Sequence, residues 1–328
     1  MPASIAHMLI SKKVREKLAS IQQYAEFSKD LQKYQHLMDL GAVGPDLPYY
    51  ESIPEAGIQI LTDGSDKPMG VDQWSYQLHS KDPNVFPLKL IEIAWREANP
   101  DFTDWEEDDK QKFAFTCGFL THMAADQIIH PLVNRVAGPY YKSGDHRKIH
   151  RQCEVYQDVV IYQKLNIGGP FLSEPFYLWC DPNPHRWGYT ELWFRYFLQK
   201  AFVEAHSIMP HEESIEKWVK GIIFTLKELN NFGFYVHALE DFAENAIDSE
   251  NYKRFFAKTN YENFFNQAIE LASIYVMGAF ELYDIDDISE TERKFFLDVV
   301  QDADLSAPLD KDIFEKAKKR FDEGLHRA

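Results

Sequence analysis

Three observations predict an all-α fold for this 328-residue chain. Apolar residues recur at helical spacing along most of its length, strand-type alternation is almost absent, and the clearest interruptions are Gly/Pro breaks. Residues 4–40 read as one or two amphipathic helices, with Ile5, Leu9, Val14, Leu18 and Ile21 on one side. Gly41-Ala42-Val43-Gly44-Pro45-Asp46-Leu47-Pro48 then ends the helix in a rigid loop. Residues 52–72, rich in Gly, Asp and Pro, read as loop. Helices are expected over 85–98, 108–136 and 145–165. Gly168-Gly169-Pro170 is the strongest break, and the aromatic, Pro-rich stretch 171–190 reads as irregular. Further helical runs follow near 190–208, 211–246, 250–284, 288–302 and 310–325. No internal repeat or low-complexity segment interrupts this pattern. Residues 1–167 and 168–328 are expected to form a helical core and a helical C-terminal half packed on it as one globular unit.

Composition narrows the function classes. At 45% hydrophobic and 27% charged residues, the chain can bury a large core and is not disordered. A formal charge of −17 repels nucleic-acid backbones and anionic membranes, so a nucleic-acid partner is disfavoured. The three cysteines, Cys117, Cys153 and Cys180, are odd in number and lack CxxC spacing, as free thiols in a reducing compartment would. The first residues carry no signal-peptide pattern, and no run of about 18 apolar residues predicts a membrane span. A cytoplasmic location is the expectation.

The chemistry is concentrated in Gly118-Phe119-Leu120-Thr121-His122-Met123-Ala124-Ala125-Asp126-Gln127-Ile128-Ile129-His130-Pro131. Positions four apart share a helix face, so His122, Asp126 and His130 form a polar stripe inside an apolar helix. Buried polar groups are costly unless partnered, and metal binding would satisfy all three. At about 1.5 Å rise per residue the two histidines lie roughly 12 Å apart along the axis, too far for one ion with bonds of about 2 Å. More than one metal is expected, with Asp126 shared between them.

The next helix offers His146, His150 and Glu154 at the same interval. His7, Asp46 and His79 lie upstream, each isolated. A lone His-x-x-x-Asp is more often a satisfied core hydrogen bond, and His237-x-x-x-Asp241 is read so. His36, His185, His206 and His211 are read as surface residues, and the aromatic stretch 176–197 as packed core rather than substrate platform.

In this order His7, Pro45-Asp46, His79, His122-Met-Ala-Ala-Asp126, His130 and His150-Arg-Gln-Cys-Glu154 resemble the zinc-dependent phospholipase C family, related in fold to the S1/P1-type nucleases. The resemblance covers residues 7–154, and it implies a multi-helix bundle around two or three zinc ions. One zinc would be held by Asp46, His79, His122 and Asp126, a second by His130, His150 and Glu154, and a third by His7 bridging through Asp126. His146 is the alternative to His150. The chain departs from the family in two places: no Trp stands near the start, and Asp126 is followed by His130 after three residues rather than five.

The implied activity is hydrolysis of a phosphate ester: zinc lowers the pKa of bound water toward about 7, giving hydroxide for in-line attack on a phosphodiester. Asp46 would be ligand and catalytic base, and the substrate a small phosphate ester or a phospholipid head group. Three carboxylates only partly offset three divalent ions, leaving a locally positive cleft in an acidic protein. Three other readings stay open: an S1/P1-like nuclease, a metal-stabilised helical binding protein without turnover, and a helical protein with satisfied core histidines and no metal.

Overall fold

The computed structural model describes residues 4–52, 72–97, 107–138, 144–165, 170–183, 185–229, 235–236, 238–240, 260–283, 288–302, 310 and 312–325. Among them every regular element is helical. The helices are α1 (Ser4–Ala19), α2 (Ala25–Lys33), α3 (Gln35–Gly41), α4 (Asp72–Ser80), α5 (Val85–Glu97), α6 (Glu107–Ala137) and α7 (Gly144–Leu165). After a 3-10 turn at Phe171–Ser173 and a single α-turn at Tyr177–Cys180, which give the stretch expected to be irregular some helical order, they continue as α8 (Leu192–His206), α9 (Glu212–Lys227), α10 (Tyr261–Tyr283), α11 (Glu290–Val299) and α12 (Ile313–Leu325). The expected all-α class is therefore observed. The 52–72 stretch falls, save for its ends, outside the described residues, as do His237 and Asp241.

Helix α6 is the axis of the molecule. From Lys112 to Ile129 it is buried on every side, as its nearly continuous apolar sequence requires. α3, α5, α7, α10 and the start of α1 all pack on it. The C-terminal α10 lies along α6 and is tied to it where the Tyr275 hydroxyl donates to Gln127 Oε1 at 2.6 Å.

The 4–40 region resolves into three α-helices rather than one or two, with breaks around Ser20–Tyr24 and at Tyr34. The first half of α1 is also not amphipathic. Ser4 to Ser11 are all buried, so the helix enters the interior end-on and carries His7 with it. Only its second half has the expected apolar stripe, with Val14 and Leu18 buried beside exposed Glu16. A buried ion pair fixes α1 to α3. Arg15 donates from Nη1 to Asp39 Oδ1 (2.6 Å) and from Nη2 to Oδ2 (3.1 Å), and Ser11 Oγ donates to the same carboxylate at 2.7 Å.

α3 in turn crosses α6 backbone to backbone. A Cβ placed on Gly118 would overlap the Met38 carbonyl and stand 2.8 Å from Ala42 N, and one on Gly41 would overlap the Phe115 carbonyl. Two glycines facing each other permit this approach. The Gly/Pro segment read as a loop is a 3-10 helix, Gly44–Tyr50, buried throughout. Pro45 at its start presets the backbone and sacrifices an N–H that has no partner in a first turn anyway.

The aromatic stretch 176–197 is core only in part. Phe176, Phe194 and Phe197 are buried, whereas Trp187, Leu192 and Tyr196 are exposed.

His185 and His211 are exposed as expected, but His36 is half-buried and His206 is buried. The His206 ring stacks on Phe86 at 5.9 Å, and neither nitrogen has a hydrogen-bond partner. Burial pushes its pKa down to about 4, aided by Lys81 and opposed by Asp82. The unfolded value is near 6.5. Between these two pH values the unfolded chain binds a proton that the folded chain refuses, so stability is lost as pH falls from about 6.5 toward 4. Urea unfolding at pH 7 and pH 5 checks this: His206→Phe should lose less stability between the two than the wild type, and an equal loss in both would refute it.

Candidate metal centre

Five elements converge on one buried cluster. α1 brings His7, the 3-10 segment brings Asp46, α4 brings His79, and α6 brings His122, Asp126 and His130. α7 adds His150 and Glu154. All eight residues singled out in the sequence are therefore brought together. Among the described residues three groups could each hold a metal ion: His7, His122 and Asp126; Asp46, His79 and His122; and His130, His150 and Glu154. Seven of the eight are buried, and His130, with 18% of its side chain exposed, marks where the cluster opens.

Asp126 occupies the midpoint that its place in the stripe demanded. Its Oδ1 lies 3.3 Å from both His7 Nε2 and His130 Nε2, and its Oδ2 lies 3.2 Å from His122 Nε2 and 3.6 Å from His79 Nε2. Asp46 Oδ1 is 3.3 Å from His79 Nε2, and Asp46 Oδ2 is 3.6 Å from His122 Nε2. The two nitrogens His122 Nε2 and His79 Nε2 are themselves 3.4 Å apart.

These separations suit a shared ion better than direct hydrogen bonds, most of which are shorter than 3.2 Å. Donors about 2.0–2.1 Å from one tetrahedral zinc stand roughly 3.3–3.4 Å from each other. The buried oxygens Asp46 Oδ2 and Asp126 Oδ2 have no hydrogen-bond partner. A cation would relieve both. Imidazole and carboxylate are the ligand types zinc takes. The residues fit the metal.

The second layer fixes the rings. His122 Nδ1 lies 2.9 Å from the Ala42 carbonyl, and His79 Nδ1 lies 2.7 Å from the Ser75 carbonyl. A proton on each Nδ1 donates to that carbonyl and leaves Nε2 as the lone pair facing the cluster. The α3–α6 crossing is what delivers the Ala42 carbonyl. Ser75 acts twice, because its hydroxyl also donates to the Pro45 carbonyl at 2.6 Å and so joins the His79 helix to the Asp46 segment. The His7 and His122 rings stack at 4.1 Å with planes 14° apart.

Electrostatics favours charged acids at the heart of the cluster. Burial by itself would raise the Asp126 carboxyl, but the surrounding His130, His122 and His7 outweigh it and hold the group well below the usual carboxylate range. Asp46 is lowered in the same way by His122 and His79. Burial pushes the His130 imidazole down to about 4, so it is neutral at pH 7 and keeps its lone pair.

His150, not His146, joins His130 and Glu154. His150 Nε2 is 2.8 Å from Glu154 Oε1, whereas His146, one turn earlier, lies against Gly138.

Two groups next to the cluster were missed in the sequence. Asp158 extends the His150–Glu154 spacing by one more turn and is fully buried. Its Oδ1 accepts the Ala6 N–H at 2.7 Å and its Oδ2 accepts the Tyr235 hydroxyl at 2.7 Å. It thereby caps the first turn of α1 from another helix and sets the depth at which His7 enters. Burial pushes this carboxyl up to about 8. Replacing Asp158 by Ala takes this acceptor away from two buried donors, and the expected loss is about 2–4 kcal/mol of stability. Urea unfolding measures it, and a change below about 0.5 kcal/mol would contradict the cap. The other missed residue is Gln157, which lines the cavity beside His7 and His130.

Among the described residues the fold is all-helical and surrounds a buried His/Asp/Glu cluster, which defines a candidate metal centre. Over residues 6–220, about two thirds of its length, the chain matches the family described as zinc dependent phospholipase C, and it belongs to that family. The match takes in all eight cluster residues. No curated protein and no solved structure matches the chain. Among the described residues no helix is long and apolar enough to cross a membrane.

Proposed function

We propose that this protein is a zinc-dependent phosphodiesterase of the phospholipase C type, acting on a small phosphate ester or a phospholipid head group. The observation that carries the reading is the Asp126 bridge, a single carboxylate with four imidazole nitrogens within 3.2–3.6 Å of its two oxygens. Asp46, His79, His122 and Asp126 would hold one zinc, and His130, His150 and Glu154 a second. His7 would hold a third, sharing Asp126.

Bound zinc supplies Lewis acidity, which favours ionised water at neutral pH and offsets negative charge on a phosphoryl group. The chain's own residues do the rest. Asp46, buried in the cluster, would take the proton of the attacking water on whichever oxygen the ion leaves free. The new P–O bond forms as the bond to the leaving alcohol breaks, and the alcohol oxygen is protonated from solvent. His130, on the exposed rim, lies where substrate would enter. Against nuclease activity stands the charge of −17.

The proposed unit includes both halves of the chain, because α10 packs along α6 and Tyr275 bonds Gln127 within it. Three buried cysteines, none in a disulfide, support a cytoplasmic location. The test is an assay of purified protein on phosphodiester, phosphomonoester and single-stranded nucleic-acid substrates, with and without chelator. Chelator-sensitive phosphodiester cleavage is expected. Cleavage of nucleic acid alone, or zinc-loaded protein inert on all three, would overturn the proposal.

A further inference from the structure

Beside the cluster lies a pocket walled by His7, Asp126, His130 and Glu154, with Ile10 as apolar lining and Gln157 facing the same space. Gln157 is 2% exposed. Its amide is held in one orientation, because the Tyr261 hydroxyl donates to Oε1 at 3.0 Å. The other end of the amide, Nε2, is buried and has no hydrogen-bond partner. An NH2 group brings two donors, and a buried donor left unmade costs about 1–3 kcal/mol. A donor is also the wrong group to face a cation, so Nε2 is not a further ligand. It suits an oxygen acceptor that arrives from outside and is held against the cluster.

We propose that Gln157 is a substrate-positioning residue that donates from Nε2 to a phosphoryl oxygen at the His130 side of the centre. The inference rests on the zinc-phosphodiesterase reading and deepens it. Tyr261 presets the amide, so no rotation is needed when the phosphoryl group arrives. α7 supplies Glu154 and Gln157 three residues apart, which places ligand and donor on one helix face. The charged oxygen and the amide would form a hydrogen bond stronger than one between two neutral groups.

The probe is inorganic phosphate, titrated by calorimetry into full-length zinc-loaded protein, with zinc content and urea midpoint measured on the same samples. Gln157→Glu keeps the acceptor for Tyr261 but turns the donor into an acceptor. Gln157→Leu removes both ends and serves as the second variant. Both should weaken phosphate binding roughly tenfold or more, Glu the more severely, with zinc content equal to wild type. Wild-type affinity for phosphate in both variants would overturn the proposal and assign Nε2 to a resident water. So would a loss of affinity matched by a loss of zinc, or a zinc-loaded wild type that binds no phosphate. A wild type that takes up no zinc at all fails at the phosphodiesterase reading instead, and the zinc measurement tells the two failures apart.

Discussion

Asp126→Asn protein should fold, carry less zinc than the wild type and lose hydrolysis by roughly 10³-fold or more. The substitution keeps shape but removes the charge and turns one oxygen into an NH2. Each oxygen of Asp126 faces two imidazole nitrogens, so whichever end becomes the amide nitrogen, two rings lose their partner. A donor then opposes the place where a cation would sit, in a site that is 1% exposed and cannot be rescued by water. The loss should also appear in stability. Zinc at a thousandfold its Kd stabilises a protein by about 4 kcal/mol per site, so adding zinc should raise the wild-type unfolding midpoint far more than the variant's. Emission spectrometry, a phosphodiester assay and zinc-dependent melting measure the three effects. Full activity in the variant would remove Asp126 from the centre.

Gly118→Ala carries the second large effect, and it acts without touching a ligand. The added methyl would overlap the Met38 carbonyl, a backbone atom that no side-chain rotation can move aside. α3 and α6 must separate, and overpacking of this kind costs about 3 kcal/mol or more. Separation also withdraws the Ala42 carbonyl from His122 Nδ1, now 2.9 Å away, and frees the ring to turn. Loss of such a partner lowers metal affinity by about 10–100-fold. Urea unfolding and zinc titration of Gly118→Ala should therefore both fall. A variant as stable as wild type would mean the helices do not meet backbone to backbone.

The candidate metal cluster was legible because its spacing is helical. His122, Asp126 and His130 repeat every four residues, and the rise of a helix alone separates the two histidines and places Asp126 between them. What the sequence hid depends on contacts across long separations. Asp158 reads as one more acid on a helix until Ala6, 152 positions away, presents its N–H. Gln157 has no local signature, because its role follows from a tyrosine 104 positions on. The choice between His150 and His146 turned on how far α7 reaches along α6, which periodicity leaves open. His206 was misplaced on the surface because a lone histidine carries no pattern; only Phe86 and Phe202, packed around it, show that it is interior. The Gly/Pro segment was recognised as rigid, but its 3-10 form depends on packing against α4, α6 and α9.

The central claim is that the His/Asp/Glu cluster is a zinc centre. Emission spectrometry on protein purified at neutral pH without added metal tests it most directly. Two or three zinc ions per chain are predicted, falling in Asp126→Asn. Protein that holds no stoichiometric metal, even after incubation with zinc, would contradict the account and leave the eight clustered polar residues as structural hydrogen-bond partners.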